Sequence, residues 1–541
     1  MICTRISSLC FSRLIVLATL AQFARSPISF SVTAQPQVVV AIGHNFTAST
    51  FRVDSDSVPP DSDGAAGPDH FVEFINGRFS VFNKSNGVKA QTMADLSFWT
   101  QAGVTFPNTW GVTDPRIVYD SSSQRWFASE VDFDPSGLIN TNRLLLAISA
   151  SADPTGVWKA LTIPSNPGGN NFADFPTLGL DAQGVYLSGD MFDANSIPVG
   201  ITLISLPKAA LLSTSPSTSG LTRFNNLSFA SRGEILQPAI CFDGSGQGNI
   251  LSTGGVGLDV NGDLVTNVAL VLSQVQNSAG PGVATLGSPT RLSVSPYTAP
   301  PFPIQPDGSS NLDDGDSRFS ALVYEVGGVL YAVHGTQVGE RAAVRWYRID
   351  PVNKKVLESG TLNDPNKDLF YPSIAANSMG TVVIAYNGSS ASTFISSFAV
   401  IGTTSNSVTS FGQPLLLRSG AASYQRTNSF GTSRWGDYSA TSVDPADPTR
   451  FWTIQEVPAS KTAWSTRVTE LLTGIPKLSV SSTGQTLQLT WTGTLFTLER
   501  APNLPNAAWT AVTQGYVTNH GVVTVQILPT DGAAFFRLQA P

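Results

Sequence analysis

The chain has 541 residues, too many for one compact core and enough for two or three domains. Charged residues make up 13% and hydrophobic residues 41%, with 47 glycines and 35 prolines, a balance that suits short strands joined by turns and excludes wholesale disorder and a helical bundle. A net charge of −7, with no basic patch interleaved with aromatics, excludes nucleic acid as a partner.

Arg5 and Arg13 flank the start of an apolar run at residues 14–24, too short to span a bilayer and suited to the core of a signal peptide. Val32-Thr33-Ala34 supplies small residues for cleavage. Residues 1–34 are therefore expected to be a leader, and the mature chain to be secreted or held at the cell surface, extracellular or periplasmic. Its loss removes three arginines and no acids, taking the net charge from −7 to −10. No later stretch is apolar for about 18 residues, so no transmembrane segment is expected in the mature chain. Cys3 and Cys10 fall in the leader, which leaves Cys241 alone in the apolar run 239–242. A small buried hydrophobe is expected there, not a nucleophile.

Over residues 35–473 one pattern recurs. A polar residue, usually beside Pro or an aromatic, opens a short apolar strand; an Asp, Asn or Gly turn follows, then a strand of aromatic and β-branched residues. The openers are Asp63, Asp114, Asp174, Gln237, Arg318, Tyr371 and Asp437. Small sheets of this kind bury both faces when stacked radially around an axis. The expected fold class is therefore all-β: a seven-bladed β-propeller, with six or eight blades also compatible. Asn76-Gly77, between Phe74-Ile75 and Arg78-Phe79, spells a hairpin with a type I′ turn. The extended run 37–41 is expected to close the ring by pairing with residues 466–471. From 474 to 541 the strands alternate differently (Leu487-Gln488-Leu489-Thr490-Trp491, Val522-Val523-Thr524-Val525), as in a small β-sandwich serving as spacer or attachment module, with His520 its one histidine.

Three stretches, 59–68 (PPDSDGAAGP), 341–347 (RAAVRWY) and 434–440 (RWGDYSA), carry a resemblance. Through them, residues 59–472 resemble a family of bacterial secreted β-propeller proteins loosely related to sialidase-like propellers and mostly without assigned activity. The tail, with 497–504 (TLERAPNL) and Phe535-Phe536-Arg537-Leu538, looks like sandwich modules of secreted verrucomicrobial and planctomycete proteins. The resemblance implies fold and export more than chemistry. True sialidases carry turns of the form S-x-D-x-G-x-x-W, and this sequence departs from them in having no clear set.

Equivalent positions of successive blades gather at one end of the axis, so the openers are expected to ring a mouth with Arg116 and Arg434 close by. Ligand-binding candidates are Asp63, Asp114, Asp174, Arg318, Tyr371, Asp437, Arg434 and Arg116. Three uses fit these residue types. Asp63, Asp114, Asp174 and Asp437, with further acids in loops 61–64 and 311–316, offer the hard oxygens that Ca²⁺ takes. Two carboxylates, or a tyrosine nucleophile with Arg116, Arg318 and Arg434 clamping an acidic sugar, offer glycoside hydrolysis. Third, aspartates at strand entries can cap turns and bond backbone amides of the neighbouring blade. His334 and His70 lie in strand patterns and are expected to be satisfied sheet residues. The function expected is non-catalytic binding of an extracellular glycan or protein, with a carbohydrate-active hydrolase using the axial carboxylates as the alternative.

Overall fold

Runs of β-branched, aromatic and aliphatic residues bounded by Asp, Asn and Gly fold as strands throughout the described chain, with three short helices between them. The computed structural model describes residues 41–539 except 108, 136–140, 255–264, 281–282, 475–477, 484–485, 493–495, 505–506, 514, 520–521 and 529–533. The expected leader, the run 37–40 and His520 lie outside the described residues. Contacts divide the chain into two units: His44–Leu471, and Leu472–Pro541 with the residues before His44.

Within the first unit the described strands form seven consecutive antiparallel meanders. They run from Asp63–Ala66 to Lys89–Met93, from Gly111–Asp120 to Trp158–Pro164, from Phe172–Leu180 to Thr222–Leu227, and from Glu234–Cys241 to Thr290–Tyr297. The remaining three run from Val323–Val326 to Lys355–Leu362, from Asp368–Ala376 to Leu415–Arg418, and from Ala440–Val443 to Ala463–Leu472. Ala41–Thr50 pairs beside Ala463–Leu472 and gives the seventh meander its fourth strand. The first strand of each meander touches the first strand of the next, and Ala440–Val443 touches Asp63–Ala66, so the cycle closes. Parallel pairing joins three of these strands directly, with Leu180 opposite Ile240 and Ala239 opposite Val323.

The cores sit between consecutive sheets, because the inner strands, such as Gly184–Phe192 and Thr381–Ser390, bury both of their faces. Phe74, Trp99, Trp126 and Leu145 pack between the first and second meanders. Tyr186, Leu203, Leu236 and Ile250 pack between the third and fourth, and Tyr331, Trp346 and Ile384 between the fifth and sixth. Phe71, Trp452 and Val468 join the seventh to the first. Each fully buried aliphatic or Phe side chain contributes roughly 1.5–3 kcal/mol.

The described strand that completes the seventh meander spans Ala41–Thr50, and of the run 37–41 only Ala41 lies among the described residues. Polar contacts hold it: the His44 amide donates to Glu470 Oε2 at 3.0 Å and the Ser49 amide to Thr466 Oγ1 at 2.9 Å. Ser49 Oγ donates to Glu73 Oε2 at 2.6 Å, while Thr466 bonds the other carboxylate oxygen, which ties the first meander to the last. The Asn76-Gly77 hairpin forms with Ile75 opposite Arg78, but Gly77 alone is left-handed (φ 85°), so the turn is not type I′. Asn76 instead uses its side chain: Nδ2 donates to Asp61 Oδ2 at 2.7 Å, and Oδ1 accepts from the Asp114 amide at 2.8 Å.

His334 and Cys241 are interior groups. The His334 ring contacts Tyr347 Oη at 3.0 Å and the Gly335 carbonyl at 2.6 Å, and burial pushes it down to about 4. Burial pushes the Cys241 thiol up to about 11, which leaves almost no thiolate at neutral pH. Iodoacetamide is expected to spare Cys241 in the folded protein over about an hour and to alkylate it in urea. Mass spectrometry of the Cys241 peptide reads this; equal labelling in both states would contradict it.

In the second unit, Ser479–Thr483, Thr486–Thr492, Val522–Ile527 and Tyr516–Asn519 form one sheet. Thr510–Ala511, Thr497–Ala501 and Phe535–Gln539 form another. Leu489, Trp491 and Val525 from the first share a core with Leu498 and Phe536 from the second.

Candidate functional site

Several innermost strands slip register near their start, between Thr113 and Arg116, Asp174 and Thr177, Glu234 and Gln237, and Phe370 and Ser373. At each slip one residue is left-handed: Asp114 (φ 61°), Phe175 (φ 50°), Ile235 (φ 50°) and Tyr371 (φ 45°). Asp61 (φ 49°), just ahead of the first sheet, matches them. These are β-bulges that re-aim a side chain, and a left-handed conformation costs a non-glycine residue on the order of 1–3 kcal/mol. Proline follows at 115, 176 and 372, where no ladder donor is lost.

The bulges correct the alignment expected from sequence. The equivalent residues are Asp61, Asp114, Phe175, Ile235 and Tyr371, and two positions further on come Asp63, Arg116, Thr177, Gln237 and Ser373. Asp63 therefore shares a level with Arg116 and not with Asp114. A polar-then-apolar pattern cannot reveal this, because one extra residue in a strand switches the face without changing composition.

Between the first, second, third and seventh sheets, aspartates bond the backbone of their neighbours. Asp61 Oδ1 accepts from the Asp437 amide at 3.0 Å, Asp114 Oδ2 from the Phe175 amide at 3.2 Å, and Asp63 Oδ2 from the Ile117 amide at 3.4 Å. Asp174 Oδ1 takes the Phe175 amide at 2.9 Å. Burial, reinforced by Asp174 and Asp437, pushes Asp114 up to about 7; burial also pushes Asp63 up to about 7 against the pull of Arg116. Burial raises Asp61 strongly, with Asp437 and Asp114 adding to it.

Arg116, 1% exposed, reaches across the axis. Its guanidinium lies 3.5 Å from the Tyr438 ring centroid, with Nε donating to the Pro176 carbonyl at 3.2 Å and Nη1 to the Ser320 carbonyl at 2.9 Å. It is a plug between sheets, unavailable to a ligand. Arg318 and Arg434 keep 25% and 31% of their side chains exposed. Arg434 is held by Asp313 and by Asp437 at 3.2 Å, and Arg318 by Asp316 at 2.5 Å. Tyr371 Oη donates to Asp313 Oδ1 at 3.2 Å. Burial, then Asp313 and Asp437, raise its phenol well above the ordinary range, so it is not a prepared nucleophile.

Asp314, Asp316, Arg318, Tyr371 and Asp437 line one small cleft. Asp314 is 3% exposed, and neither of its carboxylate oxygens has a hydrogen-bond partner. Burial and the charges of Asp313 and Asp368 raise it well above the usual carboxylate range. Two further buried acids stand close by. Asp190, eased by Arg318, is pushed up to about 7 by burial. Glu456 Oε2 accepts from the Gly436 amide at 2.8 Å, and a Cβ on Gly436 would come within 2.7 Å of that same oxygen. Sequence reasoning missed Asp190 and Glu456; their signal is an acid inside an otherwise buried strand.

Among the described residues no three His, Cys, Asp or Glu side chains are grouped so as to hold a metal ion, and Asp63, Asp114 and Asp174 spend oxygens on backbone amides.

No known protein family matches the chain, and no curated protein matches it. Solved structures with some likeness include a family PL25 ulvan lyase, at 10% identity over 74% of this chain and 90% of that one, with a TM-score of 0.38. The Trypanosoma rangeli sialidase gives 9% identity over 85% of this chain and 79% of that one, with a TM-score of 0.36. A Dyadobacter fermentans protein of unknown function gives 13% identity over 68% of this chain and 97% of that one, with a TM-score of 0.34. These scores are too low to transfer an activity.

Proposed function

We propose that the chain is an exported seven-bladed β-propeller carrying a small C-terminal β-sandwich, and that its polar cleft, about 10 Å³ and so sized for one hydroxyl, anchors a neutral, hydroxyl-rich glycan without turning it over. The closed cycle of innermost strands supports the blade count. Two sheets sharing one core support the sandwich. Residues 1–34 would direct export.

One observation carries the ligand assignment: a buried carboxyl in the cleft wall has no partner for either oxygen. An orphaned buried polar group costs roughly 1–3 kcal/mol, a cost that a site built for a ligand recovers on binding. Sugar hydroxyls supply the missing donors. An acidic sugar is the wrong partner, because Arg318 and Arg434 are already held by carboxylates. Hydrolysis needs two available carboxyls flanking a bond, whereas of the cleft's acids Asp316 is held by Arg318 and Asp437 by Arg434.

An array of neutral glycans, screened beside chromogenic glycosides, tests this. The wild type is expected to bind at least one neutral glycan and to release no chromophore. Asp314→Ala is expected to weaken that binding by about tenfold or more while melting no lower than the wild type, since it removes an unsatisfied group. Failure to bind any glycan, or binding indifferent to Asp314→Ala, would overturn the assignment. Turnover abolished by Asp437→Ala would replace binding with hydrolysis.

A further inference from the structure

The innermost strands that start at the polar cleft end at a second opening of opposite character. A cavity of about 250 Å³ lies among the last residues of six of the seven innermost strands or just beyond them, lined by Ala66, Tyr119, Phe242, Tyr324, Ala376 and Val443. The apolar surface is what the chain forgoes burying here. Ala66, Tyr119, Tyr324 and Ala376 are nearly inaccessible from outside, so the cavity is part of the built interior.

Three acids line the same cavity: Asp243, Glu325 and Asp444. Asp444 is neutralised by Lys84 at 2.8 Å. The other two have only neutral donors: Asp243 accepts from the Ser245 amide at 3.0 Å and the Gly327 amide at 2.6 Å, and Glu325 Oε2 accepts from Asn249 Nδ2 at 2.8 Å. The Ser245 hydroxyl, at 2.5 Å, and those amides hold Asp243, itself exposed, down at about 2, so it is ionised at neutral pH. No Lys or Arg is among the described lining residues. Aromatic rings and uncompensated carboxylates in one apolar cavity are the combination that selects a weakly hydrated cation.

We infer that this cavity is a second ligand site, for a small apolar ammonium ion, separate from the polar cleft. Asp243 and Glu325 supply the charge, and Tyr119, Phe242 and Tyr324 supply the rings. A neutral hydrocarbon of the same shape would fill the cavity and leave the acids uncompensated.

Ligand-observed NMR on the intact chain tests this with benzyltrimethylammonium and its uncharged carbon isostere, neopentylbenzene. The wild type is expected to bind the ammonium saturably and at least about tenfold more tightly than the isostere. Asp243→Asn is expected to weaken the ammonium about fivefold or more and to leave the isostere unchanged. Val443→Trp, at a half-buried position that tolerates bulk, is expected to abolish binding of both, and Asp314→Ala to change neither. Absence of saturable binding below about 10 mM would overturn the inference. So would equal binding of the two probes, or binding that survives Val443→Trp.

Discussion

Replacing Arg116 with methionine is expected to destabilise the protein by about 3–5 kcal/mol, the cost of leaving a buried charge without its partner. The Arg116 charge eases the ionisation of Asp63, and its donors close backbone carbonyls at Pro176 and Ser320, so that it touches three different parts of the ring. Methionine keeps much of the volume over Tyr438 but none of the donors. Asp63→Asn in the same chain is expected to recover part of the loss, because the remaining buried group is then neutral. Urea denaturation followed by tryptophan fluorescence reads both. A shift below about 1 kcal/mol for Arg116→Met would show that the plug is not structural.

The protein is also expected to be more stable at pH 6 than at pH 8. Asp63, Asp114 and Asp190 are each pushed up to about 7, chiefly by burial. An aspartate in the unfolded chain titrates near 3.9. Between those values the folded chain holds protons that the unfolded chain has released. Stability is therefore lost as pH rises through that window and levels off above it, by an amount on the order of a few kcal/mol. His334, pushed down to about 4, acts in the opposite sense. Its contribution is present above about 6.5 and is lost as pH falls, so it offsets the carboxyls at low pH and leaves their effect clearest between pH 6 and 8. Asp63→Asn and Asp190→Asn should each flatten the profile. A profile level or rising from pH 6 to pH 8 would contradict the burial of these acids in charged form.

Strand content was readable because most strands bury both faces and so appear as apolar runs with aromatic and β-branched residues. Val185, Tyr186 and Leu187, consecutive and all buried, are an example. The described closing strand was less legible for the converse reason. Ala41–Thr50 is polar and mostly half-buried, and is held by particular bonds to Glu470, Thr466 and Glu73, which no hydrophobic pattern reveals.

The cluster of acids and arginines was legible as composition, since Asp114, Asp174, Arg318, Tyr371 and Asp437 open strands and Arg434 stands beside them. Its internal geometry was not. A single left-handed residue in each bulged strand decides whether an aspartate faces the cleft, a neighbour's amide or Arg116. Nor does sequence distinguish Asp314, which has no partner, from Asp313 next to it, which binds Arg434 and Tyr371.

A crystal structure of the protein soaked with the best-binding neutral glycan tests the central claim most directly. Electron density for a sugar at the cleft, with a hydroxyl within hydrogen-bond distance of Asp314 and Arg318, is the predicted result. Density for the sugar elsewhere on the protein, with both Asp314 oxygens still unpartnered, would contradict it.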